Sequence, residues 1–128
     1  MYYFVERSVA IVKPKQPFLD WINNTFQDMP QPLTLESIRI DCNSYLIPEV
    51  NEIEDGVNFI DEKFSDLFAM EFASWTEDET LWPQELSLKV FWEWFDVEIY
   101  PTAIDLSEGT IDGEDKANPN KQIENTIH

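Results

Sequence analysis

Residues 54–75, EDGVNFIDEKFSDLFAMEFASW, decide the fold. Large apolar side chains recur three or four positions apart along this stretch. Asp61, Glu62, Asp66 and Glu71 are expected to lie mostly beside or opposite them. Residues three and four apart share one face of a helix, so the spacing is typical of an amphipathic helix. The predicted apolar face consists of Val57, Ile60, Phe64, Leu67, Phe68, Phe72 and Trp75.

Three shorter segments are typical of strands. The β-branched run at 8–13 predicts a strand in the middle of a sheet. Residues 43–47 end at Pro48, and proline favours the edge or the end of a sheet because it has no amide proton to donate. A third strand is predicted over 97–106, with an interruption at Pro101. The pattern leaves open whether these strands run parallel or antiparallel.

Three more segments predict helices. Residues 17–26 carry apolar side chains at helical spacing and begin with a proline, which the first helical turn tolerates. A short helix is predicted at 34–38, where Thr34 can accept a hydrogen bond from a backbone amide. A further helix is predicted over 84–95. The order β-α-(short α)-β-α-α-β predicts an α+β fold, with helices packed on one face of a small three-stranded sheet.

The composition changes after Leu106. Residues 107–128 hold two of the three glycines and few large apolar side chains, which predicts a flexible, polar, acidic tail. Residues 1–106 are predicted to form a single compact domain. The first residues lack a basic secretory signal, and no apolar run approaches the roughly 20 residues that a membrane span needs. A cytoplasmic location without membrane contact is therefore expected, and a lone Cys42 fits a reducing compartment.

The charge is strongly acidic and unevenly distributed. The chain has 26 acidic and eight basic residues, a net charge of -18 and a pI of about 4.1. Direct binding to a nucleic-acid backbone requires a basic face, so this class is not expected. Residues 49–98 hold fifteen acids against Lys63 and Lys89, and also four of the five tryptophans. This interleaving of acids and aromatic rings favours charged helices over a disordered acidic chain.

Residues that enzymes commonly use are scarce. The single histidine is His128 at the end of the predicted tail, so a Ser–His or Cys–His pair would have to recruit it. The three glycines form neither a P-loop nor a G-x-G-x-x-G motif. The sequence therefore leans away from an enzyme, and no cofactor is expected. No metal site is predicted either, because none of three acidic clusters has the spacing of an EF-hand. These clusters are Glu52/Glu54/Asp55, Glu77/Asp78/Glu79 and Asp112/Glu114/Asp115.

The aromatic run FWEWF at 91–95 cannot bury every ring in one helix. Positions 91, 94 and 95 share a side, so Trp92 is expected to point away from them. In one interpretation Trp92 covers a neighbouring loop near Trp82. In the other, the two indoles form an exposed aromatic patch rimmed by acids, which suits a basic protein partner. The predicted partner-binding residues are Trp82, Trp92, Glu77, Asp78, Glu79, Glu85 and Glu93.

Four short phrases occur in a fixed order along the chain. They are PKQPFLDW at 14–21, YLIPE at 45–49, LWP at 81–83 and FDVE at 95–98. Together they resemble a group of small acidic bacterial proteins of uncharacterised function, and the resemblance covers residues 8–106. It implies a bacterial cytoplasmic source and one compact domain. It implies no activity and no functional residue.

Three hypotheses for the function follow. The leading one is a non-enzymatic interaction protein that binds a basic protein partner through an acidic, aromatic-rich helical surface. A stricter version of it is nucleic-acid mimicry, which requires two rows of carboxylates on one face. The alternative is a carboxylate-based metal-dependent enzyme or a small-ligand-binding domain. A concave pocket that brings two carboxylates together, at least one of them buried, would favour this alternative. The third is a structural subunit that oligomerises. The carboxylates considered for the alternative are Asp61, Glu62, Glu77, Asp78 and Glu79.

Overall fold

The structure is a computed structural model and describes residues 3–107. Its fold is mixed α+β, as predicted. The tail predicted over 107–128 lies, except for Ser107, outside the described residues. The elements in chain order are β1 (Tyr3–Val5), β2 (Arg7–Pro14), α1 (Gln16–Thr25), α2 (Leu35–Arg39), β3 (Asn43–Pro48), α3 (Ile53–Ala73), a 3-10 turn (Glu79–Leu81), α4 (Leu88–Trp94), β4 (Phe95–Tyr100) and β5 (Ala103–Asp105).

Three strands form the main sheet in the order β3-β2-β4, and both pairings are antiparallel. The central position of β2 and the edge position of β3 confirm the predictions. Alternate residues of β2 from Ser8 to Pro14 are buried, whereas those between them are partly exposed. Because successive side chains of a strand point to opposite faces, the buried series marks the face that the helices cover.

A second sheet joins the two ends of the described chain. Strand β1 pairs antiparallel with β5, and Phe4 lies opposite Ile104. The predicted third strand over 97–106 is therefore wrong as a single element, because its first half belongs to the main sheet and its second half to this one. Pro101 stands between the halves and has no amide proton to continue the ladder. The short strand β1 was not predicted.

The helix boundaries follow their caps. The side chain of Thr34 accepts from the backbone amide of Ser37 and begins α2, as predicted. Helix α4 begins at Leu88 and not at residue 84, because the Ser87 hydroxyl accepts from the amide of Val90. No helix within residues 3–107 has the length and apolar character that crossing a membrane requires.

The core is built largely of aromatic rings. The predicted face of α3 supplies Phe68 and Phe72, whose rings stack with centroids 5.3 Å apart and an interplanar angle of 5°. Trp75 is 37% exposed, so the apolar face ends before it. Glu71 was expected beside or opposite this face, and that expectation is wrong: its side chain is only 5% exposed. A carboxyl group thus lies within the layer between α3 and the sheet.

Gly56 allows α3 to lie close to β4. A Cβ atom at this position would lie 2.8 Å from Cδ1 and 2.9 Å from Cγ2 of Ile99, which is closer than packed carbon atoms approach. Glycine inside a helix costs about 1 kcal/mol relative to alanine. The contact with Ile99 explains why α3 contains one, and it sets the position of the helix that carries Glu71.

Candidate functional site

Trp82 lies half-buried at the C-terminal end of α3. Its indole nitrogen donates to the backbone oxygen of Thr76 at 3.0 Å, and its ring lies 5.7 Å from that of Phe72. Both contacts fix the loop that follows α3. Most of this indole therefore serves the packing of its own domain, and only part of the ring is available to another molecule.

Trp92 is also half-buried, but it contacts a different part of α3. Its indole nitrogen donates to Oδ1 of Asp61 at 2.7 Å, and its ring packs edge-on against Phe91. Asp61 and Phe72, the α3 contacts of the two indoles, are about 16 Å apart along the helix axis at about 1.5 Å per residue. The structure thus anchors Trp92 and Trp82 separately, and the partner-binding role assigned to them stays a prediction.

The five predicted acids all lie on the surface. Asp78 begins the 3-10 turn by accepting from the amide and hydroxyl of Thr80, and these hydrogen bonds lower the pKa of its carboxyl. Glu77 and Glu79 flank it in the loop next to Trp82, while Glu85 precedes α4 and Glu93 lies on α4 beside Trp92. Three of the acids thus share one loop with Trp82, whereas the other two belong to the connection before α4 and to α4 itself.

Few of the acids are neutralised by a base. Within residues 3–107 a single ion pair is found, between Nζ of Lys13 and Oε2 of Glu98 at 3.0 Å. Its partners belong to β2 and β4 on the face of the sheet away from the helices. The hydrogen bond to Lys13 lowers the pKa of Glu98, and the same bond raises the pKa of Lys13. The acids of α3 and its following loop therefore form no ion pair with a base of residues 3–107.

Moderate salt is expected to raise the melting temperature. A net charge of -18 exceeds the magnitude of about 2–8 that suits a small domain, and ions screen the repulsion. A gain of about 1 kcal/mol would raise the melting temperature by roughly 4–8 °C for a domain of this size. Circular dichroism during heating, from about 10 mM to about 500 mM NaCl, measures it. A melting temperature that falls steadily with added NaCl would contradict a surface dominated by repulsion.

A second group of residues surrounds Glu71, which sequence analysis did not select. Its Oε2 atom accepts from the hydroxyl of Tyr45 at 2.5 Å and from Nδ2 of Asn43 at 2.8 Å. Both donors lie on the helix-facing side of β3, two residues apart, so the period of the strand places them together. Glu71 lies four residues after Leu67 and four before Trp75, and this helical spacing is the signal in the sequence by which it can be assigned to the apolar face.

Burial dominates the electrostatics of this group. It raises the pKa of Glu71, although the hydrogen bonds from Tyr45 and Asn43 act in the opposite direction. Burial also raises the pKa of Tyr45, and its hydrogen bond to Glu71 adds to the effect. Tyr45 therefore stays protonated at neutral pH and remains a donor. The raised pKa of Glu71 favours the protonated form of its carboxyl relative to that of an exposed glutamate.

A cavity of about 360 Å³ opens beside Glu71, between α1, α2 and the C-terminal end of α3. This volume falls within the roughly 300–1,000 Å³ of small-molecule sites. Asp41 also lines the cavity, so two carboxylates belong to its wall and one of them, Glu71, is buried. The other lining residues are Pro14, Phe18, Leu33, Ser37, Ile38, Cys42, Asn43, Ser74 and Trp75.

The second oxygen of Glu71 is the unusual atom of this cavity. Both hydrogen bonds end on Oε2, and Oε1 accepts none from residues 3–107. Across the same residues, every side-chain nitrogen or oxygen that is fully enclosed has a partner. Oε1 is therefore not fully enclosed by residues 3–107, and its residue lines the cavity. Glu71 is only 5% exposed, and its Oε1 atom has no donor among residues 3–107. This atom can therefore accept a hydrogen bond from a bound molecule.

Cys42 also lines the cavity but is not an activated nucleophile. Its thiol donates to the backbone oxygen of Arg39 at 3.0 Å. Burial raises the pKa of the Cys42 thiol, so little of the reactive thiolate forms at neutral pH. Among the described residues, no three His, Cys, Asp or Glu side chains come together in a way that could hold a metal ion.

Comparison with family models, with curated proteins and with solved structures gives no match to this chain. The resemblance of residues 8–106 to small acidic bacterial proteins therefore stays a prediction.

Replacing Glu71 with glutamine is expected to change how stability depends on pH. Because the folded-state pKa of Glu71 is raised above the ordinary glutamate value of 4.5, the folded state holds more protons than the unfolded state between the two values. The wild type therefore loses stability as the pH rises through the folded pKa. Glutamine does not titrate, so the stability of Glu71→Gln relative to the wild type should increase with pH.

Urea unfolding of both proteins at several values from about pH 4 to about pH 8 measures this difference. Glu85→Gln removes one exposed acid and serves as the matched control. If Glu71→Gln and Glu85→Gln shift the pH profile by the same amount, burial of Glu71 does not control it.

Proposed function

We propose that this protein is a small-ligand-binding domain whose site is the cavity around Glu71. The observation that carries the proposal is a buried carboxyl group whose Oε1 atom has no hydrogen-bond donor among residues 3–107, in the wall of a cavity that Asp41 also lines. A pocket lined by two carboxylates, one of them buried, is the feature expected of a ligand-binding domain and not of a purely charged surface.

Stability alone gives a poor explanation for a carboxyl group at this position. Burying a charged group is costly, and apolar replacements of buried polar groups are often neutral or stabilising. The hydrogen bonds from Tyr45 and Asn43 join α3 to β3, which gives Oε2 a structural role. They leave Oε1 without such a role, and a ligand would supply one.

Binding suits the groups in this cavity better than catalysis does. The thiol of Cys42 and the phenol of Tyr45 both have raised pKa values, so neither is activated as a nucleophile or a base. Apolar side chains, including Phe18 and Ile38, form much of the wall. Such walls bury the body of a ligand, while a few polar groups orient it.

A fragment screen tests the proposal. Small fragments of neutral, cationic and anionic classes are added to 15N-labelled protein, and NMR follows the amides of Ile38 and Asn43 and the indole of Trp75. We expect at least one class to shift these signals in a saturable manner. Ser74→Phe places a ring in the cavity and should abolish the shifts, whereas Ser65→Phe on the exposed side of α3 should preserve them.

Two results would overturn a ligand-binding function at this cavity. One is that no fragment of any class shifts the signals of Ile38, Asn43 and Trp75. The other is that Ser74→Phe leaves the shifts unchanged, since a filled cavity cannot hold the fragment.

A second candidate function is the binding of a basic protein through the acidic surface. It is supported by the fifteen acids of residues 49–98 and by the single ion pair found within residues 3–107. An uncompensated field of this kind speeds the encounter with a basic partner and makes it sensitive to salt. The predicted surface comprises Glu77, Asp78, Glu79, Glu85 and Glu93, with the exposed parts of Trp82 and Trp92.

Charge reversal tests this candidate. The variant Glu77→Lys/Asp78→Lys/Glu79→Lys is compared with Glu6→Lys/Glu36→Lys/Glu49→Lys, which changes the net charge equally at other exposed sites. Lysate proteins captured by the wild type at about 50 mM salt and lost at about 300 mM are the partners to be followed. Loss with the first variant alone supports the predicted surface. Equal loss with both variants indicates only a response to net charge.

A further inference from the structure

The charged side chains around the cavity determine which charge a bound ligand can carry. Glu71 and Asp41 both line it, and among residues 3–107 no lysine or arginine does. Two bases whose charges act on Cys42 in the cavity wall are engaged elsewhere: Arg39 donates through Nε to the backbone oxygen of Pro14 at 2.9 Å, and Lys13 pairs with Glu98. An anion entering this space would face the carboxyl groups of Glu71 and Asp41, and residues 3–107 place no positive side chain in the cavity wall.

Oε1 of Glu71 has no hydrogen-bond donor among residues 3–107, and its surroundings favour a charged donor over a neutral one. The donors that the fold supplies to Glu71, from Tyr45 and Asn43, are both uncharged. Hydrogen bonds between a cationic donor and a carboxylate are about twice as strong as those between neutral groups. An ammonium or guanidinium group at Oε1 would also offset the burial that disfavours the ionised carboxyl.

The rest of the cavity suits a short apolar body. Phe18, Leu33 and Ile38 supply apolar wall, and Trp75 adds an indole at the C-terminal end of α3. An indole face attracts cations as well as apolar groups. The volume of about 360 Å³ is near the lower end of small-molecule sites, so the occupant is the size of one large side chain or a small aromatic amine.

We infer that the cavity binds a positively charged nitrogen, an ammonium or a guanidinium, carried on a short apolar body. This inference rests on the proposed ligand-binding function and names the chemical class of the ligand. The nitrogen donates to Oε1 of Glu71 with Asp41 nearby, and the body lies against Phe18, Ile38 and Trp75. The same chemistry occurs in a free small amine and in a lysine or arginine side chain of a basic polypeptide.

Three compounds with one body and different charges test the inference. They are phenethylamine, phenethyl alcohol and phenylacetate, titrated by NMR against the full chain. We expect phenethylamine to bind most tightly, the alcohol weakly and the carboxylate not at all. Glu71→Gln should weaken binding of the amine by about tenfold or more and leave the alcohol unchanged, because only the amine uses the charge.

Asp41→Asn supplies a second variant, since Asp41 is exposed and its replacement should not disturb folding even if Glu71→Gln does. It should also weaken the amine selectively, though by less. The inference is overturned, and the proposed function kept, if the alcohol or phenylacetate binds in the cavity at least as tightly as the amine. If none of the three shifts the cavity signals while other fragments do, the cationic class is likewise wrong. If no fragment binds, both fail together.

An additional experiment with peptides distinguishes a free small amine from the side chain of a basic polypeptide. A short peptide with one lysine between uncharged residues is compared with its acetyl-lysine form and with phenethylamine. Tighter binding of the lysine peptide than of phenethylamine assigns the cavity to a polypeptide side chain, which the acidic surface would help to attract. Tighter binding of phenethylamine assigns it to a free amine. Equal binding of the lysine and acetyl-lysine peptides, with no binding of the amine, counts against a cation.

Discussion

Phe68→Ala is expected to lower the free energy of unfolding by about 3–5 kcal/mol. Phe68 is fully buried and lies at the centre of the aromatic core: its ring stacks on Phe72 and meets Phe91 edge-on, with both centroids 5.3 Å away. Removing it leaves a cavity among rigid rings that cannot easily collapse. A loss of this size is a large part of the about 5–15 kcal/mol that stabilises a typical domain.

Urea unfolding followed by tryptophan fluorescence measures the loss. Phe4→Ala is the matched control, because Phe4 is 75% exposed on β1 and its removal should change stability by no more than about 0.5 kcal/mol. Phe68→Leu keeps more of the volume and should fall between the two. If Phe68→Ala costs less than about 1 kcal/mol, the ring is not the centre of the core.

Sequence periodicity predicted the elements that have one solvent-exposed face and one buried face. Helix α3 is such an element, because its apolar face recurs with the helical period over residues 53–73. The central position of β2 followed from a β-branched run whose alternate residues prove buried. In both cases the same local pattern that forms the element also orients it, so no knowledge of distant residues was required.

The candidate site could not be predicted in the same way. Its buried carboxyl group belongs to α3, its hydrogen-bond donors to β3, and its cavity wall also to α1 and α2. Acidic residues are expected on a solvent-exposed face, so Glu71 was grouped with Asp61 and Glu62. Its position four residues after Leu67, however, puts it on the same side of the helix as that apolar residue. Only the packing of α3 on β3 distinguishes a carboxyl group that faces water from one that faces a cavity.

The division of the predicted third strand has a related cause. Pro101 signalled an interruption, but the pairing of β5 with β1 depends on residues nearly the whole domain apart. The hydroxyl of Ser8 acts over a similar separation, donating to the backbone oxygen of Pro101 at 2.9 Å, 93 residues away. Neither contact leaves a local pattern in the sequence.

Ser8→Ala is expected to lower the free energy of unfolding by about 2–3 kcal/mol. The Ser8 hydroxyl is fully buried and satisfies two backbone groups at once: it donates to the oxygen of Pro101 and accepts from the amide of Val50 at 2.9 Å. Alanine removes both hydrogen bonds but neither backbone group. Each buried group left unpaired costs about 1–3 kcal/mol, and partial access of water to these half-buried residues keeps the total toward the lower end.

Two measurements test this role of Ser8. Urea unfolding gives the loss of stability, with Ser44→Ala on the exposed face of β3 as the matched control, expected to change it by less than about 0.5 kcal/mol. Hydrogen exchange gives a local reading, because the amide of Val50 should lose protection in Ser8→Ala and keep it in Ser44→Ala. Loss of side-chain volume alone would lower stability without affecting the Val50 amide more than others. If the protection of Val50 relative to other amides is unchanged in Ser8→Ala, the hydroxyl does not join the end of β3 to the connection between β4 and β5.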